Sequence, residues 1–201
     1  MAKLKYTKNE LKRQKDDLKR FTRYLPTLTL KKQQLQLEII KAGHAIKEIE
    51  EEIEKLELAT NSWVEVFAED VAIRNLIQVE KIQTTEENIA GIDIPVFEKM
   101  DFELQKYDFR RTPLWVDFGI EVVKQVSTFK AHVALLRKKR ALLTEELRIT
   151  AQRVNLFEKI MIPQARENIR KINIVLGDMQ TAAVVTGKIA KRKIEQKHVA
   201  A

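Results

Sequence analysis

Two long stretches of this chain carry apolar residues at alternating spacings of three and four, and that repeat leaves few folds open. In the first stretch one row reads Leu4, Leu11, Leu18, Leu25, Lys32, Ile39, Ile46, Ile53, Thr60, Phe67. A second row, offset by three, reads Thr7, Gln14, Phe21, Leu28, Leu35, Ala42, Ile49, Leu56, Trp63. From Leu18 to Phe67 only Lys32 and Thr60 interrupt the apolar pattern. A 3.5-residue repeat sustained over about seven heptads specifies coiled-coil packing. The second stretch runs Val122, Val126, Phe129, Val133, Leu136, Arg140, Leu143, Leu147, Thr150, Val154, Phe157, Met161. It then slips by one residue and resumes as Ile162, Ala165, Ile169, Ile172, Leu176, Met179, Ala183, Thr186, Ala190. A slip of that kind changes the local supercoil. Pro163 supplies a cause through a kink, and Pro26 is expected to kink the first helix or to split off a short first segment.

The expected fold is mostly α, a long antiparallel two-helix coiled coil with a small β-hairpin or irregular segment in mid-chain. The expected divisions are residues 1–75 for the first helix, 76–112 for the middle segment, 113–197 for the second helix and 198–201 for a tail. Matching the arm lengths places Leu4 near Ala190 and Phe67 near Phe129. The alternative is two helices that each pair with other chains. In the middle, Val79-Glu80-Lys81-Ile82-Gln83 and Ile92-Asp93-Ile94-Pro95-Val96 alternate apolar and polar residues around the turn formers Asn88 and Gly91, which predicts a hairpin over roughly 76–104. Pro95 assigns the second strand to an edge or bulge. An isolated hairpin is marginal in water, so this one should lean on the helices or on a partner. Arg110-Arg111-Thr112-Pro113 reads as the turn into the second arm.

The composition excludes several chemistries. There is no Cys, hence no thiol nucleophile or thiolate metal site. Two serines and three scattered histidines (His44, His132, His198) do not assemble a hydrolase. The phosphate loop G-x-x-x-x-G-K-[ST] and the dinucleotide motif G-x-G-x-x-G are both absent. No cofactor is expected. The uncharged run near the C-terminus, Met179 to Gly187, is far shorter than the roughly 20 residues of a membrane span. The Glu48–Glu57 carboxylates fall outside the seam and read as a solvated face. An enzyme acting alone is not the expectation; a cytoplasmic protein is.

Charge is unevenly spread. Residues 1–63 hold 14 Lys/Arg against 10 Asp/Glu, residues 64–121 hold 6 against 13, and residues 122–201 hold 17 against 6. Two basic arms flank an acidic middle. In the equal-arm hairpin Lys3, Lys5, Lys8, Lys12 and Arg13 share one tip with Lys188, Lys191, Arg192 and Lys193. A basic tip can neutralise nucleic-acid phosphates. Only Tyr6, Phe21 and Tyr24 offer stacking surface there, and an acidic protein sleeve is an equally good partner. A structural adaptor and a nucleic-acid-binding hairpin are the rival readings.

Two blocks resemble a known family. Glu87-Asn88-Ile89-Ala90-Gly91-Ile92-Asp93-Ile94-Pro95-Val96-Phe97 is similar to the E-N-(I/V)-A-G-x-x-(I/L)-P-x-(F/Y) stretch in the D subunit of V-type and A-type rotary ATPases. Arg153-Val154-Asn155, Glu158, Ile162-Pro163 and Glu167-Asn168-Ile169 resemble that family's R-V-N-x-x-E-x-x-x-I-P motif and the E-N-x-I that follows. Coiled-coil packing alone demands neither. Two departures suggest a bacterial-type branch: Tyr6 stands where many members have Pro, and Tyr24-Leu25 where many have Gly-His. The resemblance implies a non-catalytic central rotor shaft, a peripheral part of a membrane-bound complex that transmits torque between a catalytic hexamer and an ion-translocating ring. It implies as partners the catalytic and regulatory A and B subunits, the small F subunit and the funnel-shaped subunit above the ring. It implies neither nucleic acid nor direct membrane insertion.

Overall fold

A computed structural model describes residues 4–61, 76–105, 107, 112–113 and 115–199. Helix α1 runs Lys8–Thr60, strands β1 and β2 run Ile77–Ile89 and Ile92–Leu104, and helix α2 runs Trp115–Leu156. A five-residue π-helical turn, Phe157–Met161, leads into helix α3, Ile162–Val199. The mostly helical fold with a central antiparallel hairpin is the one the periodicities predict. Seam or turn residues Trp63, Phe67, Phe109, Arg110 and Arg111 lie outside the described residues. The chain divides into two compact units, Met1–Leu30 with Thr150–Ala201, and Lys31–Ile149.

Local chemistry explains the start of α1. Thr7 Oγ1 accepts the Glu10 amide hydrogen at 3.3 Å, and the Leu11 amide reaches the Thr7 carbonyl at 3.0 Å. That is half of a capping box, with Glu at the third helical position. Pro26 does not split the helix, which continues through it. The fixed φ of proline suits a helix; what it costs is one amide donor and a clash with the Thr22 carbonyl. The Thr22 and Thr29 hydroxyls on either side bond back to the carbonyls of Leu18 and Leu25, at 2.8 and 2.9 Å.

Burial follows the seam. Every position of the two α1 rows from Leu11 to Thr60 is buried or half-buried. From Val122 to Met161 only Arg140 of the row is exposed. Both units are antiparallel. In the first, Asn168 Nδ2 donates to Gln14 Oε1 at 3.2 Å and the Phe21 and Phe157 rings lie 5.3 Å apart. In the second, Lys31 meets Glu146 at 2.8 Å, Arg137 meets Glu50 at 2.6 Å and Lys130 meets Glu57 at 3.8 Å.

These contacts correct the equal-arm register. With Gln14 opposite Asn168, Leu4 falls opposite a position near 178 rather than near Ala190. The offset is one to two heptads. A heptad seam matches its partner again after every seven residues, so the apolar pattern alone cannot tell neighbouring registers apart. Specific pairs such as Gln14–Asn168 and Phe21–Phe157 distinguish them.

The one-residue slip has a structural form. The Ile162 amide bonds to the Phe157 carbonyl, five residues back, so the turn takes in one extra residue. The slip therefore lies one turn before Pro163, and Pro163 is the second residue of α3. Its ring would crowd the Lys159 carbonyl in a regular α-helix, and the widened turn eases that contact. Both Met161 and Ile162 thereby face inward, while Lys159 and Ile160 are exposed. Removing Ile160 would convert the row after Thr150 into an unbroken four-three repeat through Leu176. We expect that deletion to abolish the π-turn and leave urea stability within about 1 kcal/mol of the parent, whereas deleting Gln152 instead should cost several kcal/mol by rotating the seam about 100° out of phase. Equal loss in both deletions would contradict this account of the turn.

Candidate functional site

The hairpin motif is placed by its turn. Ala90 and Gly91 have φ of 54° and 80°, a two-residue loop with both residues left-handed. Gly adopts this freely and Ala at some cost. Asn88 holds the loop: its Oδ1 accepts the Gly91 amide hydrogen at 3.0 Å and its Nδ2 donates to Asp93 at 2.7 Å. Pro95 pairs with Glu86. Counting from the closing pair Ile89–Ile92, that is a position whose backbone groups point away from the partner strand, where a missing amide costs the ladder nothing.

The hairpin is docked, as its marginal size requires. Ile94 is fully buried with Leu35 of α1 and Leu143 of α2, and Ile89, Ala90, Ile92, Ile39 and Leu147 pack around them. Glu87 meets Lys139 of α2 at 3.8 Å. Phe97 stacks on His132 of α2, ring centroids 5.1 Å apart. At the other end Ile77 joins Val116 and Ile120, with Phe102, Trp115 and Tyr107 alongside. The Tyr107 hydroxyl donates to Asp117, which raises its pKa.

The described ring partner of His132 is Phe97 of the hairpin. Burial lowers its pKa, and its helical neighbours Thr128, Phe129, Leu135 and Leu136 carry no charge. A base whose folded pKa is depressed takes up its proton more readily once released. Its contribution is complete above the ordinary histidine pKa near 6.5 and is lost as pH falls through the lower folded value. Amide protection around Phe97 should therefore drop between pH 7.5 and pH 5.5, and a His132→Phe variant should not show that drop.

The second motif divides by face. Val154 and Ile162 are buried in the seam and Asn168 bonds Gln14. Arg153, Asn155, Glu158, Pro163 and Glu167 are exposed. Glu167 pairs only weakly along its own helix, with Lys171 at 3.7 Å.

The basic residues form two sites rather than one. Lys5, Lys8, Lys12 and Arg13 flank the start of α1 and are exposed; Lys3 lies outside the described residues. Lys188, Lys191, Arg192 and Lys193 lie about 20 residues beyond Asn168, the partner of Gln14. At 1.5 Å per residue this carries them about 15–25 Å past Lys5 along α3. Residues 177–196 are exposed without exception, including Met179, Val184, Val185, Ile189 and Ile194. The seam expected to continue through Met179, Ala183, Thr186 and Ala190 is present in the residues but has no partner helix among the described residues.

Among the described residues no group of acidic or histidine side chains is arranged to hold a metal ion. Glu50 and Glu57 of the acidic run pair across to α2, and Lys55 bonds Glu52 at 2.6 Å. No described helix is long and apolar enough to cross a membrane.

These features describe an antiparallel helical protein with a docked hairpin and a C-terminal helix whose last turns have no partner helix among the described residues. The sequence matches the family of the ATP synthase D subunit over residues 10–192. It is 50% identical over 198 residues to the V-type ATP synthase D subunit of Borreliella burgdorferi, covering 98% of each chain. It is 36% identical over 202 residues to the V-type ATP synthase D subunit of Chlamydia caviae, covering 98% of this chain and 96% of that one. The chain belongs to the ATP synthase D-subunit family.

Proposed function

We propose that this chain is the central rotor shaft of a V-type rotary ATPase and holds no nucleotide itself. The observation that carries the reading is the bare end of α3. Twenty consecutive exposed residues, 177–196, combine seam-type apolar side chains with Lys188, Lys191, Arg192 and Lys193. A helix that exposes a continuous apolar stripe is normally covered by another chain. In this reading the cover is the bore of the hexamer of catalytic A and regulatory B subunits. The basic residues face acidic or polar groups on its wall. Exposed ion pairs are worth about 0–1 kcal/mol each, so they break and re-form as the shaft turns. Lys5, Lys8, Lys12 and Arg13 line a second ring of such contacts.

The unit that carries the hairpin makes the coupling contacts. The hairpin, acidic and fixed to both helices at Ile94, contacts the small F subunit or the funnel-shaped subunit above the membrane ring. Arg153, Asn155, Glu158 and Glu167 match the family's motif yet do little packing in this chain, which suits residues that face a partner. The chain is then a peripheral part of the complex with no segment in the bilayer, and it binds no nucleic acid. The test is gentle purification of the tagged full chain from its own cell. Stoichiometric recovery of A, B and F subunits is the expected result. Recovery of nucleic acid or of unrelated helical proteins alone would overturn the reading.

A further inference from the structure

Strand β1 lies on the outside of the hairpin. Apart from Ile77, Gln83 and Ile89 it is exposed along its length, and among the described residues β2 is its only neighbour in the sheet. Irregularities at Val79/Lys81 and Gln83/Thr84 break up its first half. Such bulges protect a free edge against unwanted pairing. From Thr84 to Ile89 the pairing is regular and that protection is missing.

The closing pair Ile89–Ile92 flanks a two-residue turn, so Ile89, Glu87 and Thr85 direct their backbone groups toward β2. Asn88, Glu86 and Thr84 direct theirs to the outer edge. That edge borders a cleft of about 470 Å³ between the hairpin tip and α1. Four successive residues, 87–90, line one wall, and Gln33, Gln34, Leu37 and Glu38 line the other. Successive strand side chains point to opposite faces. Glu87, Asn88 and Ile89 are consecutive residues of β1, with Ala90 in the turn, so this wall is the strand's edge and not one of its faces.

The chemistry of the cleft selects its occupant. Leu37 is 52% exposed and Ile40, a turn further along α1, is 60% exposed. The hairpin from Leu76 to Leu104 carries seven Asp/Glu against two Lys/Arg. Glu86, at the middle of the regular edge, has no ion-pair partner among the described residues. We infer that an extended basic segment of another subunit adds to the outer edge of β1 at Thr84–Asn88 as a third strand, setting an apolar side chain against Leu37 and Lys or Arg side chains against Glu86 and Glu38. Main-chain bonds to the edge would supply affinity, and the acidic, apolar-floored cleft specificity. The inference rests on the reading that the chain works inside a multisubunit ATPase.

The test is hydrogen exchange on the full chain, alone and in the purified complex. The amides of Glu86 and Asn88 should gain about tenfold or more protection in the complex. Leu37→Cys, in a chain with no other cysteine, should cross-link in the complex to a segment containing Lys or Arg. Glu86→Pro removes the outward amide but no bond to β2, so it should abolish the added protection at Asn88 while leaving that of Ile89 unchanged. A complex that assembles with Glu86 and Asn88 unprotected, or with Leu37 cross-linked to a partner helix and the edge unprotected, overturns strand addition and leaves the rotor reading intact. Failure of the chain to purify with any ATPase component overturns the rotor reading on which it rests.

Discussion

Leu143→Ala should lower the stability of the full chain by about 3–5 kcal/mol, read from urea unfolding followed by circular dichroism. Leu143 is fully buried against Leu35 of α1 and Ile94 of β2. It thus serves two interfaces at once, helix to helix and helix to hairpin. The described residues include only thirteen buried apolar side chains, so the void has few neighbours able to collapse into it. The same change at Leu142, which is exposed, should cost less than about 0.5 kcal/mol. The hairpin should also lose amide protection in Leu143→Ala, because Ile94 is its deepest anchor. A loss below about 1 kcal/mol with the hairpin still protected would mean that the joint at Ile94 is not what holds the middle of the chain together.

Truncation after Leu176 is expected to do the reverse. The deleted stretch has no partner helix among the described residues of its own chain, so unfolding of the remaining protein should shift by less than about 0.5 kcal/mol apart from the loss of the helix itself. Function should fail. In reconstituted vesicles ATP-driven ion transport should fall at least about tenfold, because the removed surface is the one proposed to lie in the bore, with its apolar burial and ionic contacts. Replacing only Lys188, Lys191, Arg192 and Lys193 by Gln should give an intermediate loss that narrows as salt is raised above the working buffer, because salt already screens those contacts in the parent. Transport unchanged by truncation would remove the bare helix from the account altogether.

Much of this architecture was legible in the residues. The alternating spacings that define the seam select the positions buried in α1, in α2 and in α3 as far as Leu176, because side chains spaced 3.5 residues apart must share one stripe. The hairpin was legible through its alternation and through Asn88 and Gly91. Register was not: heptads repeat, so Leu4 could be set against Ala190 as readily as against a residue near 178, and the longer setting merged two basic clusters that lie apart. The slip between Met161 and Ile162 is visible as a pattern, and Pro163 beside it points to a kink. The actual device is one extra residue in the turn before it, which a list of apolar positions does not distinguish from a bend. The anchoring of the hairpin by Ile94 on Leu35 and Leu143, and by Phe97 on His132, depends on residues distant in sequence. No local spacing carries that information. The edge of β1 and its cleft have no sequence signature either, since both arise from where the hairpin docks.

The central claim is that the chain turns. With no natural cysteine to interfere, Glu103→Cys, exposed at the end of β2, can carry a nanorod while the hexamer is fixed to a surface. The account predicts one-way rotation of the rod on adding ATP, in steps of a third of a turn. A rod that stays fixed while the same complexes hydrolyse ATP would contradict it.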